Sequence, residues 1–120
     1  MKVLICEDDI VVLKAISVAV QNEKAEAIAM KDGERALSYL KDNEVDLIIT
    51  DIHMPLKNGD DILKLVREDQ QKKTPIIMIS SDTEEEVIKM ALKLGVDEFI
   101  EKPIDSSKLQ KKLRKYLIPK

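Results

Sequence analysis

Five strand-like runs alternate with five stretches of helical periodicity, and this alternation constrains the fold more than any other feature of the chain. The runs are Val3–Cys6, Ala25–Met30, Leu47–Thr50, Pro75–Ser80 and Glu98–Glu101. Short runs of this kind, bounded by turn residues, read as strands. Between them the apolar residues recur at helical spacing. The first such stretch runs from Asp9 to about Gln21, with Val12, Leu13, Ile16 and Val20 near one face. Asp32-Gly33 opens the second, which carries Ala36, Leu37 and Leu40. The third spans Asn58 to about Glu68, with Ile62, Leu63 and Val66 inward, and the fourth ends at Leu94. The last runs from Asp105 to about Leu117, with Leu109, Leu113 and Leu117 on one stripe.

Strands alternating with helices imply a parallel sheet covered on both faces. The three most apolar strands, at 3–6, 47–50 and 76–79, are expected at the centre, and the weaker ones, at 25–30 and 98–101, at the edges. That selects strand order 2-1-3-4-5, the doubly wound α/β arrangement of the flavodoxin-like (βα)5 fold. Its switch point lies between strands 1 and 3, and ligands bind at the carboxyl edge there. The expectation is one domain over residues 1–120, since a chain of this length matches the usual prior of about 100–200 residues per domain.

Helix-boundary signals agree with this reading. Asp9 and Asp105 suit N-caps, Thr83 with Glu86 fits a capping box, and Gly95 after Leu94 fits a left-handed C-terminal cap. With 44% hydrophobic and 36% charged residues the chain has an ordinary globular composition. A net charge of −3 argues against nucleic-acid binding by the chain as a whole. No apolar stretch is long enough to span a bilayer, and a cytoplasmic location is expected by default. The single cysteine, Cys6, lies inside an apolar run and reads as a small buried hydrophobe.

The chemistry gathers at the carboxyl ends of the strands. Strand 1 ends in Glu7-Asp8-Asp9, and strand 3 ends on Asp51, followed by a loop with Pro55 and Gly59. If strands 1 and 3 are neighbours, these carboxylates converge and raise one another's pKa. A divalent cation removes that conflict, and Mg²⁺ favours one or two carboxylates plus waters plus a substrate phosphate. Ser80 ends strand 4 and offers a hydroxyl to a phosphate oxygen. Lys102 follows strand 5 and offers an ammonium, which a cis bond to Pro103 would be one way to aim. Each residue alone is weak. Their force is joint, because Glu7, Asp8, Asp51, Ser80 and Lys102 all fall on one sheet edge.

At this point the chain resembles a bacterial response-regulator receiver domain, similar to the single-domain chemotaxis regulator. The resemblance covers essentially all of the sequence. It rests on the acidic pair Glu7-Asp8, on Asp51, Pro55 and Gly59 in Asp-x-x-x-Pro-x-x-x-Gly, on Ser80, and on Lys102-Pro103. It implies that Asp51 accepts a phosphoryl group from a sensor histidine kinase or histidine phosphotransfer protein, and carboxylate nucleophiles do form aspartyl phosphates. It further implies Mg²⁺ (or Mn²⁺) held by Asp8, by Glu7 partly through water, by Asp51 and by the backbone carbonyl of His53. Lys102 and Ser80 would hold phosphoryl oxygens, so that catalysis is mainly positioning and charge neutralisation. Ser80 and Phe99 would switch the face made by helix 4, strand 5 and helix 5, with Phe99 standing where many relatives carry Tyr. His53 and Asp82 would modulate dephosphorylation.

The resemblance also implies a domain that is not an enzyme in the ordinary sense, although it takes part in its own phosphorylation and dephosphorylation. The expected partners are a kinase and a downstream protein, with a homodimer through helix 4, strand 5 and helix 5 also in view. Neither nucleic acid nor membrane is expected to bind directly. Met1 stands two residues before strand 1, so the start reads as native, and the chain reads as a free-standing receiver or the N-terminal receiver of a longer protein. A haloacid dehalogenase-type phosphatase fits poorly, because Asp51 lies on strand 3 and is followed two residues later by His53 rather than Asp. A flavodoxin fits poorly, with only Tyr39, Phe99 and Tyr116 as aromatics. The remaining alternative is a protein-interaction module that keeps the fold without phosphorylation.

Overall fold

A computed structural model describes residues 1–52, 59–81 and 85–117, with Gly59 and Val87 described by backbone alone. The elements run β1 (Lys2–Cys6), α1 (Ile10–Asn22), β2 (Glu26–Met30), α2 (Gly33–Asp42), β3 (Leu47–Asp51), α3 (Gly59–Lys64), β4 (Ile76–Ser80), α4 (Glu85–Lys93), β5 (Glu98–Glu101) and α5 (Ser106–Tyr116). The strands form one parallel sheet in the order β2-β1-β3-β4-β5. This is the expected doubly wound order.

Burial explains the placement. Every residue of β3 and β4 is buried, as is β1 after Lys2, and their sequences are nearly continuous in apolar residues. A strand covered on both faces needs that composition. β2 and β5 expose part of their length and occupy the edges. One core layer joins Val3, Ile5, Ile49 and Ile79 of the sheet to Leu13, Ile16 and Val20 of α1 and Leu109 and Leu113 of α5. The other joins Leu4, Ile48 and Met78 to Leu40 of α2, Ile62, Leu63 and Val66 on the α3 side, and Ala91 of α4. Alternate residues of each strand therefore feed opposite layers, as the pleat requires.

The caps foreseen at Asp9 and Asp105 are present. Asp9 accepts from the amides of Val11 (2.9 Å) and Val12 (3.3 Å), and Asp105 from those of Ser107 (2.9 Å) and Lys108 (3.2 Å). Gly95 takes φ +106°, the left-handed geometry that ends α4. The proposed capping box falls on Thr83, which lies outside the described residues. One feature departs from the expected regular third helix: α3 continues into a π-helical turn over Leu65–Asp69. The amide of Gln70 reaches back to the carbonyl of Leu65 at 2.8 Å, and that of Lys72 to Val66 at 2.8 Å. The widened turn leaves Leu65 and Val66 buried while Arg67 extends toward the start of β5.

Candidate functional site

The sheet register brings together residues far apart in sequence. Cys6 lies opposite Thr50 across β1 and β3, so the next residues, Glu7 and Asp51, stand side by side where the two strands end. Asp51 lies opposite Ile79 of β4, which puts Ser80 one step further along the neighbouring strand. Ser80 lies opposite Glu101 of β5, and its carbonyl accepts the backbone amide of Lys102 at 2.9 Å. Four strands thus supply one carboxyl-edge pocket at the switch point.

Glu7, Asp51 and Ser80 are all buried, whereas Asp8 is exposed at the mouth. The Lys102 ammonium donates to Asp51 Oδ2 and forms an ion pair with Glu7 Oε1. The other Glu7 oxygen, Oε2, accepts from the Asp8 amide at 2.9 Å. Thr50 Oγ1 donates to the Asp51 carbonyl at 3.0 Å, which ties down the backbone beneath the exposed end of the pocket. The Lys102–Pro103 peptide is cis.

Two buried carboxylates beside a third set the electrostatics. Burial pushes the Glu7 carboxyl up to about 7, Lys102 opposes that shift, and Asp51 adds to it. For Lys102, burial disfavours the charge, but the bonds to Asp51 and Glu7 outweigh it and hold its pKa above the usual lysine value. Burial, reinforced by the charges of Asp32 and Glu7, pushes the Cys6 thiol up to about 12. Cys6 is therefore a protonated core residue, donating to the Asp32 carbonyl at 3.4 Å, as its apolar context suggested.

The acidic set can hold a cation. One oxygen each from Glu7, Asp8 and Asp51 lie within 4.8 Å of one another. Three hard oxygen donors at that spacing, with the exposed Asp8 leaving a solvent side, suit a small divalent ion that keeps several waters. Phe99 is half-buried on β5, opposite Met78, and packs against the layer containing Ala91 and Val96. His53, Asp82 and Pro55 lie outside the described residues.

Sequence reasoning missed two residues. Arg67, on the π-helical turn, donates to the carbonyls of Gly95 (3.1 Å) and Lys72 (2.9 Å) and to Asp97 Oδ2 (2.9 Å). Glu98 on β5 accepts from Lys112 of α5 at 2.7 Å and lies 3.3 Å from Lys115. The charges of both signs around these positions carry no signal of which pairs meet.

The parallel five-stranded sheet thus carries a cluster of carboxylates at its switch point, with a lysine from just past β5 reaching across to two of them. The family model "Response regulator receiver domain" matches residues 3–114, and the chain belongs to that family. It is 34% identical over 116 residues to the transcriptional regulatory protein CpxR of Escherichia coli K12, covering 97% of this chain and 49% of that protein. It is 31% identical to the response regulator GtcR of Aneurinibacillus migulanus, covering 94% of this chain and 48% of that one. The chain thus spans about half the length of the curated relatives it matches. Among solved structures, the chemotaxis response regulator CheY4 of Vibrio cholerae superposes with TM-score 0.87 at 32% identity, over 97% of this chain and 98% of that one. The receiver domain of Francisella response regulator 1452 gives TM-score 0.88 at 29% identity, over 96% and 94%. The chain is therefore a signal-transduction domain of the two-component type, a class whose members are phosphorylated on an aspartate by a kinase. Among the described residues no helix is long and apolar enough to cross a membrane.

Proposed function

We propose that Asp51 accepts a phosphoryl group from a phosphohistidine on a sensor histidine kinase or phosphotransfer protein. The observation that carries this reading is the buried Asp51 carboxylate, bridged by Lys102 to Glu7 and within reach of Asp8. An Asp51 oxygen forms the new bond to phosphorus as the donor's nitrogen–phosphorus bond breaks, and the leaving imidazole takes up a proton. Glu7, Asp8 and Asp51, with the His53 carbonyl, would hold Mg²⁺ (or Mn²⁺). When bound, that ion supplies charge neutralisation for the transferring phosphoryl group. Lys102 exchanges its carboxylate contacts for phosphoryl oxygens, and the Ser80 hydroxyl donates to another. His53 and Asp82 modulate access of the hydrolytic water.

The output is a population shift on the face of α4, β5 and α5, driven by tighter binding of the phosphoryl group to one of two arrangements. Ser80 and Phe99 are its switch residues. Phe99 has no hydroxyl, so its part is packing alone. The whole chain, 1–120, acts as one cytoplasmic receiver domain, with a downstream protein as its target.

The test is intact mass after incubation with acetyl phosphate, with and without Mg²⁺, on wild type and Asp51→Asn. A single phosphoryl adduct requiring both the ion and Asp51 is expected. No adduct, with no Mg²⁺ binding by titration, would leave an interaction module that works without phosphorylation.

A further inference from the structure

The peptide that joins Asp51 to Ile52 is held from both sides where the chain leaves the sheet. The Ile52 amide donates to the Ile79 carbonyl of β4 at 3.1 Å. A trans peptide points its carbonyl away from its N–H, so the Asp51 carbonyl faces β1. Cys6 pairs with Thr50 across β1 and β3. A parallel ladder continued by one rung would carry the Asp8 amide to the Asp51 carbonyl. The Asp8 amide instead donates to Glu7 Oε2 at 2.9 Å. Pairing of β1 with β3 thus stops at the point where the oxygens of Glu7, Asp8 and Asp51 gather.

The Thr50 hydroxyl takes the place of that rung, donating to the Asp51 carbonyl at 3.0 Å. Thr50 is fully buried and is the one polar residue in the run Leu47–Thr50. By strand alternation it lies with Cys6 and Ile48 on the sheet face that α2 and α3 cover. Its hydroxyl neighbours the Cys6 thiol, whose own proton goes to the Asp32 carbonyl at 3.4 Å. Packing alone is served as well by an apolar β-branched residue, and a buried hydroxyl is costly unless it is bonded. The hydroxyl is therefore explained by the carbonyl it holds.

We infer that Thr50 is a positioning residue for the phosphoacceptor, its hydroxyl replacing the last β1–β3 rung on the Asp51 carbonyl. The two strands can then part and leave room for three carboxylates while the Asp51 backbone stays fixed. Thr50 acts through Asp51 and reaches no phosphoryl group itself. Without the hydroxyl, the ladder's own donor for that carbonyl is the Asp8 amide, and recruiting it takes Asp8 from Glu7 and narrows the gap between the acids. The kinetic consequence rests on the proposed function, whereas the contact does not.

The test compares wild type with Thr50→Val, which keeps the branched shape without the hydroxyl, and Thr50→Ser, which keeps the hydroxyl without the methyl. Timed intact mass with acetyl phosphate and Mg²⁺ gives the labelling rate, titration gives Mg²⁺ affinity, and urea unfolding gives stability. Thr50→Val is expected to label Asp51 about tenfold more slowly at saturating acetyl phosphate, with the half-saturating concentration little changed. It should also bind Mg²⁺ a few-fold more weakly. Thr50→Ser is expected to stay within about twofold of wild type in both, even where the lost methyl lowers its stability. Wild-type labelling by Thr50→Val, or equal slowing in both variants, overturns the inference. If Thr50→Val does not fold, wild type decides by NMR: the Thr50 hydroxyl proton should exchange slowly with water, and its deuteration should shift the Asp51 carbonyl carbon resonance. A freely exchanging hydroxyl with no such shift overturns the inference. A wild type that gains no phosphoryl adduct strikes the proposed function, and the carbonyl resonance still judges the Thr50 contact.

Discussion

Arg67 and Gly95 share one space: the Arg67 Nε donates to the Gly95 carbonyl at 3.1 Å, and a Cβ added at Gly95 would lie 3.0 Å from that same Nε. Gly95 is doubly required, by its φ of +106° and by the guanidinium packed over it. Removing either partner should destabilise. Arg67→Ala loses three hydrogen bonds, one of them to a carboxylate, and should cost about 2 kcal/mol in urea unfolding. Gly95→Ala should cost about 1–3 kcal/mol from the strained backbone and the contact together. In the double variant the contact vanishes while the backbone strain remains, so the combined loss should fall short of the sum by at least about 0.5 kcal/mol. Strict additivity would mean that the side chain simply moves aside.

Glu98 sets an acid limit on stability. Burial alone would raise its carboxyl, but Lys112, Tyr116 and Lys115 outweigh burial and lower it from 4.5 to about 2. A depressed folded-state pKa contributes stability that is present above about pH 4.5 and lost as pH falls toward 2. Glu98→Gln should therefore lower stability at neutral pH by roughly 1 kcal/mol, allowing for the exposure of Lys115. The difference from wild type should shrink between pH 4.5 and pH 2. Thermal unfolding across that range reads it directly, and a pH-independent difference would assign the effect to packing.

On the proposed function, Lys102 would compete with a cation for the same carboxylates. Lys102→Gln should strengthen Mg²⁺ binding a few-fold, since Glu7 and Asp51 no longer share their oxygens with an ammonium. The same change should slow acetyl phosphate labelling of Asp51 by about tenfold or more, because a charge-assisted bond to the phosphoryl group is worth at least about 1.4 kcal/mol. Titration and timed mass spectra separate the two. Loss of both binding and labelling would show that Lys102 organises the pocket instead of acting on the phosphoryl group.

Metal should also report on folding. An ion that binds only the assembled pocket stabilises by mass action, by about 2.7 kcal/mol at a hundredfold excess over its dissociation constant. Mg²⁺ should raise the melting temperature of wild type and raise that of Asp8→Asn much less, since Asp8 supplies one of the three clustered oxygens. Equal shifts in both proteins would point to binding elsewhere.

Much of the fold was legible because strand burial is written in composition. Ile48 and Ile49 or Ile76 to Ile79 leave no polar side to expose, so those strands had to be central, and the order followed. Asp51, Glu7, Asp8, Ser80 and Lys102 could be gathered from their positions at strand ends, and the register brings their strand ends to one pocket. The π-helical turn was not legible. Leu65 and Val66 satisfy regular helical spacing equally well, and the choice is made by where the Gln70 and Lys72 amides find carbonyls. The Arg67 and Glu98 contacts were hidden for a related reason: in a chain with abundant charges of both signs, pairing is decided by tertiary distance.

The pocket takes residues from β1, β3, β4 and the end of β5, spread from position 7 to position 102. No fragment of the chain can own such a site. A nascent or partly unfolded receiver would have Asp51 but not its lysine, or its acidic pair without Asp51. On the proposed function, competence to receive a phosphoryl group is contingent on completion of the sheet, and the arrangement would act as an inspection step: only finished molecules would be switched.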